Sequence, residues 1–82
     1  MFSVTLIVKP KPGVRDPQGA AVQEALSGLG YSQIAVHSVG RVLNFDLAAE
    51  NEPAARKMID DMCQRVLVNP NLETFEVSLK KS

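Results

Sequence analysis

Asp16-Pro17-Gln18-Gly19 separates a stretch of two-residue periodicity from a stretch of helical periodicity, and the fold turns on that change. An Asp followed by Pro suits an N-cap and a first helical position. The carboxylate can accept a backbone N–H two or three residues on, and Pro has no N–H to leave unsatisfied. Gln18 and Gly19 exceed what capping needs. Gly in a first turn costs up to about 1 kcal/mol against Ala, which leaves two readings open: an incidental Gly, or a place that requires the missing side chain.

On the N-terminal side, Phe2, Val4, Leu6 and Val8 alternate with Ser3, Thr5 and Lys9, as in a strand with one buried face; Ile7 interrupts the polar side. Lys9-Pro10-Lys11-Pro12-Gly13 ends that strand, because Pro cannot donate to a ladder. On the C-terminal side, Val22, Ala25, Leu26 and Leu29 form one helical stripe over Pro17 to about Leu29, and Gly30 suits the left-handed residue past the helix end.

Residues 34–48 are expected to be extended, with Ile34 and Val36, then Leu43, Phe45 and Leu47, in alternation. The pattern breaks at Gly40, which predicts a short strand, a turn at Gly40-Arg41 and a longer strand, or else one bent strand. Asn51 caps a second expected helix, with Glu52 and Pro53 in its first turn and Ala55, Met58, Ile59, Met62 and Val66 as its apolar stripe. Asn69-Pro70-Asn71 is a turn, and Phe75, Val77 and Leu79 mark a last strand.

Strand, helix, strand, strand, helix, strand is the order of an α+β, ferredoxin-like βαββαβ domain, an antiparallel sheet with two helices on one face. The 82 residues are expected to form a single domain, 1–82. Its other sheet face would carry Ser3, Thr5, Ile7, Asn44, Asp46, Glu76 and Ser78, polar and without a covering helix. A domain this small, with an open face and two edges, is expected to self-associate at least as a dimer.

Composition excludes several function classes. Nine basic residues balance nine acidic ones, and the densest basic group, Lys9, Lys11 and Arg15, reads as a solvated loop, so no nucleic-acid partner is expected. The three Phe residues are in phase with the core, which removes the base-stacking face of an RNA-binding module. No apolar run approaches a membrane span, and Cys63, the only cysteine, points to a reducing compartment. With His37 as the only histidine, neither a zinc site of the usual ligands nor a Cys-His pair is expected within one chain. Asp60 and Asp61 are adjacent on a helix and point about 100 degrees apart, so they read as a solvated face. Gly28-Leu29-Gly30 follows a helix rather than opening one, the wrong context for a nucleotide loop. The expected catalytic, cofactor-binding and metal-binding residues are therefore none, and the chain works by contact.

Three runs carry a resemblance that covers nearly the whole length: Arg15-Asp16-Pro17-Gln18-Gly19-Ala20-Ala21-Val22-Gln23-Glu24-Ala25-Leu26, Val39-Gly40-Arg41, and Met62-Cys63-Gln64-Arg65-Val66-Leu67-Val68-Asn69-Pro70. The sequence resembles the PurS family, small subunits of phosphoribosylformylglycinamidine (FGAM) synthase in purine biosynthesis. Arg41 stands where that family often has Lys, a departure that keeps the charge.

The resemblance implies a subunit of an ATP- and glutamine-dependent C–N ligase, not catalytic on its own. A glutaminase subunit (PurQ-type) would release ammonia. A synthase subunit (PurL-type) would use ATP and Mg²⁺ to activate the formamide oxygen for displacement. The small subunit would bridge the two in the cytoplasm as a dimer or tetramer and bind no cofactor itself. Asp16, Pro17, Gln18, Gly19, Gly40 and Arg41 are the expected partner interface. The competing reading is a ferredoxin-like metabolite-sensing module, which would call for a Gly-rich loop where this chain has the Pro-rich Lys9 to Gly13 segment.

Overall fold

The computed structural model describes residues 1–81, so Ser82, the last residue of the expected domain, lies outside the described residues. Strand β1 (Phe2–Pro10) is the centre of a three-stranded antiparallel sheet. Strands β2 (Arg41–Leu47) and β3 (Glu73–Lys81) flank it in the order β2-β1-β3. Helix α1 (Pro17–Gly28) follows β1, and helix α2 (Glu52–Met62) lies between β2 and β3. The fold is α+β with a ferredoxin-like arrangement of order β-α-β-α-β.

The registers place Val4 opposite Phe45 on one side and Leu79 on the other, and Leu6 opposite Leu43 and Val77. All these residues therefore share one sheet face, because side chains directly opposite point the same way. Phe2, Val4, Leu6 and Val8 are buried there with Ala55, Ile59, Cys63 and Val68, while Phe45, Leu47, Phe75 and Leu79 pack at the margin. The opposite face is polar, as expected. Thr5 Oγ1 donates to Asn44 Oδ1 at 2.9 Å, and Lys9 pairs with Glu76 at 3.3 Å.

Three expectations are corrected. The strand expected near Ile34 does not form, and neither the hairpin nor the bent-strand version describes residues 34–40, which pair with no strand. Their backbone is engaged instead by side chains of α1 and its cap: Val36 N and Val39 N donate to Gln23 Oε1 and Asp16 Oδ2, at 2.7 and 2.9 Å. The sheet consequently has three strands rather than four.

The second correction concerns α1, expected beside α2 on the sheet. It contributes no side chain to the buried core, and its only buried residue is Gly19. Val22 and Leu29 of the expected stripe are 41 and 75% exposed. Helix α1 and the return segment instead form an arm over residues 17–40. The radius of gyration is 16.2 Å and the long axis 51 Å, against about 12 Å expected for the radius of a compact chain of this length.

The third correction is to the stripe of α2. Ala55, Ile59 and Cys63 are buried at four-residue spacing, whereas Met58 and Val66 are exposed. After Met62 the helix widens into a π-turn, Cys63–Leu67, closed by Val68 N donating to Cys63 O at 3.0 Å. The extra residue in that turn breaks the α-helical phase, which turns Val66 outward and lets Val68 reach the core.

The element ends follow the sequence signals. Asn51 Oδ1 accepts from Ala54 N at 2.9 Å and caps α2. Helix α1 closes in a Schellman arrangement: Gly30, at φ +96°, donates to Ser27 O, and Tyr31 N donates to Leu26 O.

A candidate docking cleft at the root of the arm

Asp16 uses both carboxylate oxygens inside the chain. Oδ1 accepts from Gly19 N at 3.1 Å and caps α1; Oδ2 accepts from Val39 N and ties the return segment to the helix start. Pro17 fills the first helical position. A Cβ on Gly19 would run into Asp16 Oδ2, so the bare glycine leaves room for the capping carboxylate to reach Val39. The requirement for a missing side chain at Gly19 is thus met within the chain.

Gly40 answers to a different neighbour. A Cβ there would strike the backbone carbonyl of Val8, so Gly40 lets the incoming chain cross close to β1 before β2 begins. Arg41 then anchors that strand. Its guanidinium donates from Nη1 to Glu73 Oε2 at 2.7 Å, and from Nη2 to Glu73 Oε1 at 3.2 Å and to Leu67 O at 2.6 Å. Glu73 Oε1 also accepts from Asn69 N at 2.8 Å. The start of β2, the end of the π-turn and the start of β3 are therefore held at one point. The hydrogen bonds from Arg41, and then from the Asn69 amide, hold the Glu73 carboxyl below its ordinary value.

These residues border an open cleft of about 580 Å³. Asp16, Pro17 and Gln18 line it from the helix start, Gly40 and Arg41 from the strand start, and Asn69, Leu72 and Glu73 from the opposite side. Five of the six expected interface residues thus meet on one surface, and the sixth, Gly19, sits behind Asp16. Gln18 is exposed, and among the described residues its side chain has no hydrogen-bond partner. Asn69, Glu73 and Gln23 were not among the expected site residues. The turn at Asn69 was legible, but nothing local marks its approach to Arg41, and Gln23 reads from sequence as an ordinary polar helix position.

The cleft is suited to contact rather than bond chemistry. Both of its acids are committed, Asp16 to two amides and Glu73 to Arg41 and Asn69. His37 is exposed in a neighbouring depression beside Lys11 and Gly13. Cys63 is buried in the core, and burial, with a smaller effect of Asp60, pushes its thiol up, away from the reactive thiolate. Among the described residues no three His, Cys, Asp or Glu side chains group as a metal site, and no helix is long and apolar enough to cross a membrane.

Comparison with known proteins meets this geometry. The family model for PurS, described as phosphoribosylformylglycinamidine (FGAM) synthase, matches residues 3–81. The phosphoribosylformylglycinamidine synthase subunit PurS of Methanocaldococcus jannaschii is 30% identical over 81 residues, covering 99% of this chain and 98% of the relative. The crystal structure of PurS from that organism, one of the subunits of formylglycinamide ribonucleotide amidotransferase in the purine biosynthetic pathway, superposes with a TM-score of 0.86. The two are 29% identical, and the match covers 100% of this chain and 99% of the other. A chain of the PurLQS structure from Thermotoga maritima matches with a TM-score of 0.82 at 26% identity, over 98 and 99% of the two chains. Agreement of sequence and fold over nearly the whole length sets aside the metabolite-sensing alternative. This chain belongs to the PurS family, subunits of the FGAM synthase of purine biosynthesis.

Proposed function

We propose that residues 1–82 act as one non-catalytic domain that bridges a PurL-type synthase and a PurQ-type glutaminase and supports passage of ammonia between them. One observation carries this reading. The three sequence runs that mark the family, around Asp16, Gly40 and Asn69, are far apart in the chain and border the same cleft. A docking surface at that cleft accounts for their convergence where no reacting group does. ATP and Mg²⁺ belong to the synthase partner in this reading, and the small subunit binds neither. The cytoplasm is the compartment, in keeping with a biosynthetic subunit whose one cysteine is unpaired.

Self-association as a dimer or tetramer is part of the proposal. Val22, Leu29 and Ile34 on the arm are 41, 75 and 41% exposed, and no core side chain comes from α1. A second copy would remove that apolar surface from water at about 25 cal/mol per Å².

The test is capture of both partners. Tagged small subunit, mixed with purified synthase and glutaminase in the presence of glutamine and ADP, should retain both and restore glutamine-dependent turnover. A correctly folded subunit that retains neither and leaves turnover unchanged would refute the reading.

A further inference from the structure

We propose that Gln23 is a positioning residue, whose side-chain amide fastens the return segment to α1 and so gives the arm the fixed shape that docking in the enzyme complex requires. The inference rests on the subunit reading above. Gln23 Oε1 accepts from Val36 N at 2.7 Å, and Nε2 donates to Ile34 O at 3.1 Å. A carbonyl at one residue and an N–H two residues later are the pair that a neighbouring residue engages in a parallel ladder. One side-chain amide thus stands in for a strand at Ala35. The donor-only Val36 N–H and the acceptor-only Ile34 carbonyl fix which end of the amide faces which group, and Ser27 Oγ, one turn along α1, accepts from the same Nε2 at 3.1 Å.

Among the described residues, no backbone hydrogen bond joins α1 to residues 34–40, and α1 adds no side chain to the core. Asp16 secures Val39 at the root, and Gln23 secures Ile34 and Val36 about two helical turns away. With only its two ends held, at the Gly30–Tyr31 closure of α1 and at Val39, the segment between them gains conformational freedom, and the ordering cost then falls on the docking step.

The experiment uses the reconstituted synthase, glutaminase and small subunit, with Gln23→Ala and Gln23→Glu. Hydrogen exchange of the Val36 amide reads the fastening itself. Titration of small subunit into the partners reads the concentration that gives half-maximal glutamine-dependent turnover. Gln23→Ala should speed Val36 exchange at least about tenfold and raise the half-saturating concentration about tenfold, with the maximal rate kept at saturation and the β1 amides still protected. Gln23→Glu keeps the acceptor for Val36 N but sets a carboxylate against Ile34 O, so it should recover only part of either effect.

Faster Val36 exchange with an unmoved titration would overturn the positioning role, and so would unchanged exchange or loss of protection throughout β1. Wild-type subunit that drives no glutamine-dependent turnover would overturn the subunit reading and this inference with it, whereas an active wild type matched by Gln23→Ala removes the inference alone.

Discussion

Arg41 and Glu73 form a two-pronged ion pair, Nη1 to Oε2 at 2.7 Å and Nη2 to Oε1 at 3.2 Å, across 32 positions of sequence. The Glu73 side chain is only 20% exposed, and Asn69 N and Leu67 O complete the network. Geometry of this kind favours Arg over Lys, because an ammonium cannot serve both carboxylate oxygens and a carbonyl in one plane. Arg41→Ala is therefore expected to destabilise the chain by about 1–2 kcal/mol, a figure discounted for the half-exposed guanidinium. Arg41→Lys should recover less than half of that. Urea unfolding midpoints decide it, and an Arg41→Ala midpoint equal to wild type would show that the network adds nothing.

The same pair makes stability depend on acid. The Glu73 carboxyl is held below its ordinary value of 4.5 by its bond from Arg41 and then by that from Asn69. Its contribution is complete above that ordinary value and is lost as the pH falls through the lower folded value, because the unfolded chain takes up the proton first. Wild type should thus lose its advantage over Glu73→Gln progressively as the pH falls below the ordinary carboxylate value of 4.5 and through the lower folded value. Thermal unfolding of both proteins at several pH values tests this; a difference that grows toward acid would contradict the sign.

Three glycines give three different signs or sizes. At Gly19 a Cβ meets a carboxylate that can move, but moving it releases Gly19 N and Val39 N, for an expected loss of about 1–2 kcal/mol. At Gly40 the obstacle is the Val8 backbone carbonyl, inside the central strand, so Gly40→Ala should cost more than Gly19→Ala. Gly28 has open space around its Cβ position and ends α1, so Gly28→Ala should stabilise by up to about 1 kcal/mol. Calorimetric melting of the three variants ranks them, and a Gly40→Ala protein as stable as Gly28→Ala would refute the packing argument.

Much of this fold is written locally. Phe2 to Val8 alternates because one face is buried, Asn51 and Asp16 cap helices through their own side chains, and Gly30 takes the left-handed position. At the cleft, Gln18 and Gly19 stand out because they exceed what capping needs, and Gly40-Arg41 because the strand alternation breaks there. What escaped is non-local. Val22, Leu26 and Leu29 carry the same spacing whether they meet their own sheet or something outside the chain, and periodicity cannot tell the two apart. Ile34 and Val36 read as a strand from their alternation, yet their backbone is bonded by Gln23, a side chain whose role no local pattern announces. The π-turn at Cys63–Leu67 shifted the stripe of α2 for a similar reason: one added residue per turn leaves no signature in a hydrophobic pattern.

The uncovered arm gives the last expectation. Val22 and Leu29 are exposed on a helix that supplies nothing to the core, so placing charge on them should leave the sheet and α2 intact while opposing any association that buries them. Val22→Asp with Leu29→Asp is expected to weaken self-association at least about a hundredfold, turning the oligomer into monomer at micromolar concentration. Light scattering with gel filtration measures the mass, and circular dichroism checks that both helices persist. If the doubly charged protein keeps its oligomeric mass, association runs through the open face of the sheet instead. In that case Thr5 and Ile7, on the side of β1 away from the core, become the positions to charge.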